Sequence, residues 1–376
     1  MQRAISSVNC CLFALDSRNG KIDYFRDIYN RSAKATSNEK KMCNRTSRIS
    51  FIGIGVFLLI AVILGGIFLL SYTRPTAVFK TEGGALSLSF SPDGKLLAIA
   101  GTGKSIQLLR ISDGQVIRNL TTDNNGTASV AFSPNGELLA SGGLDNQISL
   151  WRVSNGERIV RFIGHTKPIS SVSFSPDGQL LVSGGMDGSI RIWDVSTKAL
   201  VRTITGHGEG VESITIDPNG QIIASNSLDN TIRIWRIADG ALLTTINDTY
   251  HGYNLAFSPD GKLIVSGGGG DKVLLWQVPD GALIKSLTGH TSNIASVAFS
   301  PDGQIIASGS GSPGNFIENV PSDPTIRLWS VNTGQLITTL KAHNDEITSL
   351  VFSPDGRLLA SGSLDGTVKL WRVTSS

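Results

Sequence analysis

One phrase recurs seven times along the chain and limits what it can become. It reads "FSPDG" at Phe90, "FSPNG" at Phe132, "FSPDG" at Phe174, "IDPNG" at Ile216, and "FSPDG" again at Phe257, Phe299 and Phe352. The spacings are 42, 42, 42, 41, 42 and 53 residues, so there are seven units and the sixth is eleven residues longer. A fixed period of this length marks a supersecondary unit that cannot bury its apolar face alone and must stack on its neighbours. In the third unit "ISSVSF" alternates apolar and polar residues before the turn, "QLLVSGG" follows it, and "SIRIWDV" and "LVRTIT" alternate again. Four short strands joined by tight turns form an antiparallel meander. Seven such units predict an all-β fold, a seven-bladed β-propeller.

The motifs resemble those of the WD40 family over residues 76–376. The resemblance implies a hydrogen-bonded set of His, Ser, Asp and Trp in each blade. The third unit has His165, Ser183, Asp187 and Trp193, and the fourth has His207, Ser225, Asp229 and Trp235. The sixth has His290, Ser308, Asp323 and Trp329, and the seventh has His343, Ser361, Asp365 and Trp371. Departures are local. The literal Trp-Asp pair survives only at Trp193-Asp194. Unit one has Ile99, Gly103 and Leu109 where Ser, Asp and Trp would stand, and unit two has Asp123 at the His position. In unit five Asp271 is one place late and His251 is out of register. Units one, two and five are therefore expected to be the softer blades.

The last unit ends after its third strand, at "TVKLWRVTSS". The missing strand is expected at the other end of the domain: "TAVFKT", Thr76 to Thr81, alternates like every fourth strand and would pair with Thr367–Val373 to close the ring. Closure removes the exposed edges of an open meander.

Ahead of the repeats stands "FIGIGVFLLIAVILGGIFLL", Phe51 to Leu70, without one charge. As a helix it would span about 30 Å, the thickness of a bilayer core. Lys34, Lys40, Lys41, Arg45 and Arg48 precede it against Glu39 alone. The positive-inside rule then puts the N-terminus in the cytoplasm and the propeller outside it. No small-residue cleavage motif follows Leu70, so the span is expected to be retained. The organisation expected is a short, disordered basic region at 1–48, a transmembrane helix at 49–72, a linker at 73–75 and the propeller at 76–376. "MCNRTSRIS" from Met42 resembles the lead of an export segment, which makes Met42 a candidate start. The closing strand begins on the side of the "SPDG" turns, and Ser71–Pro75 reaches at most about 18 Å. The "SPDG" face is accordingly expected toward the membrane.

Composition and motifs exclude several classes of chemistry. Residues 76–376 carry 22 Lys/Arg against 26 Asp/Glu, a balance that argues against binding the phosphate backbone of nucleic acid. Cys10, Cys11 and Cys43 all precede the repeats, so the propeller holds no disulfide and no thiolate metal site. The Asp residues of the "SPDG" motifs (Asp93, Asp177, Asp260, Asp302, Asp355) are read as turn residues, because tight turns favour Asp or Asn and Gly at positive φ, and not as calcium ligands. "SGGGGDKV", Ser266 to Val273, lacks the lysine spacing of a phosphate loop and is read as a strand-to-strand turn. No catalytic residue, metal site or cofactor motif emerges.

What remains is surface. Alternating strand direction puts the "SPDG" turns on one face, and the His loops and Asp turns on the other, where WD40 propellers commonly bind partners. The sixth unit's insertion, 310–322, falls on that second face and carries Phe316, Ile317 and Val320 between two prolines. Tyr250, His251 and Tyr253 form a second amphipathic cluster at the fourth-to-fifth junction. These six residues are the candidates for protein or peptide binding. The expected function is a membrane-anchored scaffold. The competing reading is a catalytic or glycan-binding propeller with its site at the axial opening, which calls for acidic or His side chains converging there, and the sequence places none.

Overall fold

The computed structural model describes residues 74–123, 126–247, 252–268, 270–311 and 323–373. The apolar run, Met42 and the inserted residues 312–322 lie outside them. Among the described residues no helix is long and apolar enough to cross a membrane.

In the described residues twenty-eight strands form seven four-stranded antiparallel sheets. Six sheets run in chain order, one per repeat. The seventh combines the last three strands with Ala77–Lys80 from the start of the domain. That strand pairs antiparallel with Thr367–Arg372, Ala77 opposite Leu370 and Lys80 opposite Thr367, and Thr76 N–H donates to Leu370 O at 2.7 Å. The chain thus enters the ring at the "SPDG" end. Phe79 packs on Gly114 in the next blade, where an added Cβ would stand 2.5 Å from the ring.

First strands are innermost. Each touches the first strand of the next blade, and Ile347–Phe352 meets Ala85–Phe90 to close the circle. Apolar clusters fill the seams between blades. Trp193 of the third blade, for example, packs with Ile148 and Leu150 of the second, and Leu109 takes the Trp place in the first blade.

A polar belt tightens the inner ring. The residue three before each phrase's first residue accepts a backbone N–H from the next blade: Ser87 from Val130 (3.1 Å), Ser129 from Val172 (3.1 Å), Ser171 from Ile214 (3.2 Å) and Ser213 from Leu255 (3.4 Å). Asn254 accepts from Val297 (3.2 Å), Ser296 from Leu350 (2.9 Å), and Ser349 from Leu88 (3.1 Å) completes the circle.

The "SPDG" turns correct one expectation. Their Asp residues are not at positive φ; only the glycines are, as at Gly136 (φ 73°). Asp serves instead as an acceptor: Ser175 Oγ–H donates to Asp177 at 2.5 Å, Gln179 N–H donates to the same oxygen at 3.0 Å, and Leu180 N–H donates to Ser175 Oγ. The Ser hydroxyl is the main reason the Asp177 carboxyl lies below its ordinary 3.8. In the fourth unit Asp217 replaces the Ser and takes the N–H groups of Gln221 and Ile222 directly, at 2.6 and 2.8 Å. These carboxylates are used up within their own turns.

Candidate interaction face and axial mouth

The His loops and Asp turns meet at the end of the ring opposite the "SPDG" turns. In the third blade His165 Nδ1 lies 3.0 Å from Asp187, His165 Nε2 lies 2.8 Å from Ser183 Oγ, and Trp193 Nε1–H donates to the same Oγ at 3.0 Å. The carboxylate has no proton to give, so Nδ1–H is the donor; Nε2 then accepts the Ser hydroxyl, whose oxygen takes the indole N–H. The other complete blades repeat this. His207, His290 and His343 stand 2.9, 3.0 and 3.0 Å from Asp229, Asp323 and Asp365, and each lies 2.8 Å from Ser225, Ser308 or Ser361. Trp235, Trp329 and Trp371 donate to those serines at 2.8, 2.8 and 2.9 Å.

A further member escapes the four-residue pattern. Ser189, Thr231, Thr325 and Thr367, two places after each Asp, donate a hydroxyl to it at 2.6 to 2.7 Å. The signal was present as Asp-x-Ser/Thr in each of these units. Burial pushes all four imidazoles below 6.5 and keeps them neutral. Burial also acts to raise Asp187 and Asp229, but the backbone N–H, hydroxyl and imidazole donors around them together win and hold both at about 2. Each Asp also accepts the N–H of the residue after its His, such as Thr166 at 2.9 Å, so loop and turn are tied into one rigid rim.

The incomplete blades differ. Trp151 and Trp276 keep their bonds to Ser141 and Ser266, at 2.8 and 2.9 Å. Asp123, at the His position of the second blade, turns outward to Arg158 and Arg161 instead. In the sixth blade His290 and Asp323 meet across 33 residues, so the insertion leaves the set intact, and its flanks Gly311 and Asp323 stand at the rim. The inserted Phe316, Ile317 and Val320, and Tyr250 and His251, lie outside the described residues.

Tyr253 is in a different place from the one expected. A β-bulge interrupts every first strand just before the Ser or Asn of the polar belt. A bulge re-aims the extra side chain, and here all seven extra residues converge on the axial mouth: Leu86, Ala128, Ser170, Glu212, Tyr253, Ala295 and Thr348. With Leu144, Pro168, Ile169 and Met186 they line a cavity of about 260 Å³. Ser170 donates its hydroxyl to Val211 O, and Thr348 donates to Ala85 O. Glu212 has neither a hydrogen bond nor an ion pair among the described residues, and burial raises its carboxyl from 4.5 to about 7. The sequence reading placed no acidic side chain at this opening; the bulge puts one there.

Around the mouth the Asp turns present apolar tips. Leu144, Leu228 and Leu364 are 58 %, 38 % and 36 % exposed, with Met186 at the equivalent place in the third blade. Their backbone N–H groups are pinned to the neighbouring loops, as from Leu364 to Glu346 O at 3.0 Å.

The family model for the WD domain, G-beta repeat, matches residues 114–152, 156–194, 198–236, 248–277, 281–330 and 334–372. The chain belongs to the WD40-repeat family. Each match takes in a Trp-bearing third strand, and the first three strands of the first blade, with Leu109 at that place, are left unmatched. No curated protein sequence matches the chain. WD40 propellers generally serve as protein-interaction scaffolds.

Proposed function

We propose that this protein is a membrane-anchored scaffold that binds a protein or peptide partner on the His-loop face of its propeller. One observation carries the reading: Leu144, Leu228 and Leu364 are exposed around the axial mouth on turns whose backbone N–H groups are bonded to the neighbouring loops. Apolar tips on a preformed rim lose little ordering entropy on association. The insertion flanked by Gly311 and Asp323 adds its Phe316, Ile317 and Val320 to the same face.

The anchor is the uncharged run Phe51–Leu70, with the N-terminus in the cytoplasm and the propeller outside it. Entry of the chain at the "SPDG" end supports the "SPDG" face lying toward the membrane. So do the exposed aliphatic residues that begin the outer strands at that end, Leu200, Val201, Leu283 and Ile284. Digestion of the propeller by protease added to intact cells checks this arrangement.

The axial opening favours binding over catalysis. Glycoside hydrolysis in its common form needs a pair of carboxyl groups. Among the described residues lining the mouth Glu212 is the one carboxylate. The test compares Leu144→Glu/Leu228→Glu with the control Leu283→Glu. Crosslinking of the native partner should fall at least about tenfold in the first and stay unchanged in the control. The reverse pattern would move the binding face to the other end.

A further inference from the structure

We propose that the axial mouth is a receptor for one basic side chain, Arg or Lys, of a peptide partner, with the Glu212 carboxylate as its counter-ion and the Tyr253 ring as its wall. This rests on the His-loop face being the partner surface, and it names the chemistry that face selects.

The mouth lacks a cation. Six of the seven bulge residues are apolar, aromatic or hydroxyl-bearing, and the Ser170 and Thr348 hydroxyls already donate to backbone carbonyls of the next blade. An ionised carboxylate has no proton to donate in that way. Among the described residues Glu212 therefore sits in the ring as an acceptor without a donor, and neither Lys nor Arg lines the cavity. A partly buried carboxylate is costly unless it is paired. The missing partner is a cation.

The surroundings restrict which cation. Leu86, Ala128, Ile169 and Met186 make most of the wall apolar, so the entering group needs a long apolar stem with its charge at the tip. About 260 Å³ is small for a free organic ligand and suited to a single side chain delivered by a peptide lying across the leucine tips. Tyr253, next to Glu212 in the ring, offers an aromatic face to the same charge. Its phenol is pushed up by burial first, and next by the charges of Glu212 and of Glu346, which stands outside the lining of the mouth. The carboxylate and the ring both favour a positive guest.

The carboxyl also makes capture depend on pH. With its proton leaving near 7, Glu212 is charged above that value and neutral below it. A bound cation stabilises the charged form, so binding strengthens as pH rises through this range.

The experiment titrates the full chain, in detergent micelles, with the peptide acetyl-Gly-Ala-Arg-Ala-Gly-amide, its Lys analogue and its citrulline analogue, by calorimetry at about pH 8 and about pH 5.5. Citrulline keeps the shape of Arg and removes its charge. The Arg or Lys peptide should bind at least about tenfold more tightly than citrulline at the higher pH, with the advantage shrinking at the lower one. Glu212→Gln should erase that discrimination, and Tyr253→Leu should weaken the basic peptides severalfold while keeping some preference. No heat of binding at about 1 mM peptide, equal binding of citrulline, or an unaltered preference in Glu212→Gln would each overturn the proposal. The citrulline comparison uses the unmutated chain, so it decides even if a variant fails to fold. If the peptides fail to discriminate while Leu144→Glu/Leu228→Glu still abolishes partner crosslinking, the basic-side-chain receptor is wrong and the face assignment stands.

Discussion

Replacing Glu212 by Gln should stabilise the propeller at pH 8 and leave it almost unchanged at pH 4.5. The carboxyl is raised from 4.5 to about 7 by burial in the axial mouth. A raised folded pKa means that the folded chain holds the proton more tightly than the unfolded chain. The group's favourable contribution is therefore complete below 4.5 and is lost as pH rises through 7. At about 1.4 kcal/mol per unit, that shift is worth roughly 3 kcal/mol between the two ends of the range. Gln has the same shape and never titrates, so the difference between variant and parent isolates this one group from the rest of the molecule. The histidines need such isolation, because their lowered pKa values act the other way and weaken the fold as pH falls below 6.5. The assay is urea unfolding followed by tryptophan fluorescence, for which the six buried indoles are reporters. A stability difference that stays constant from pH 4.5 to 8 would refute the reasoning, since it would show Glu212 equally solvated in both states.

Ser183→Ala should cost about 3 kcal/mol, because it leaves both His165 Nε2 and Trp193 Nε1 buried without a partner. Ser141→Ala removes only the bond from Trp151 and should cost about half as much; equal losses, measured by denaturant midpoint, would count against the complete sets being the stiffer ones. Deleting residues 76–81 removes the strand paired with Thr367–Arg372 and opens the ring. The expected result is early melting or aggregation on size-exclusion chromatography, and an unchanged melting temperature would show that closure contributes nothing.

The fold was legible because each unit repeats the same local rules: alternation for strands, Pro-Asp-Gly for turns, and His, Ser, Asp and Trp at constant spacing. Even the strand completing the last blade showed as "AVFK" ahead of the first unit, and it pairs as Ala77–Lys80. The axial mouth was not legible, and the reason is geometric. In "GVESITI" the alternation of Val211, Ser213 and Thr215 suggests a plain strand, but the register shifts between Val211 and Ser213. A two-residue period cannot report an extra residue, and Glu212 is that residue. The same shift at Gly252 and Asn254 moved Tyr253 out of the junction cluster and into the ring. The polar belt was visible in principle, since Ser or Asn stands three places before the first residue of all seven phrases. Its meaning needed the neighbouring blade, which supplies the N–H that each one accepts.

Function in a repeat protein is found where a unit does something the repeat does not require. The His sets, the turn serines and the inner belt recur because every blade must fold, so their chemistry is spent inside the ring. At the bulge position the fold asks for nothing in particular: Leu, Ala, Ser, Glu, Tyr, Ala and Thr all occur there, in one chain, on the same backbone. That freedom lets two adjacent units place an unpaired carboxylate beside an aromatic ring. The fourth unit also departs from its sisters in the core. Asn226 stands where the third, fifth, sixth and seventh blades have Gly184, Gly267, Gly309 and Gly362, buried with neither amide atom hydrogen-bonded. An unpaired amide and a desolvated carboxylate in one blade both cost stability. Gly in place of Asn226, and any of the uncharged residues that the sister units place at the bulge in place of Glu212, would remove these costs. A local cost that the fold does not need, at the mouth of the face with exposed leucines, is the pattern expected of a binding site.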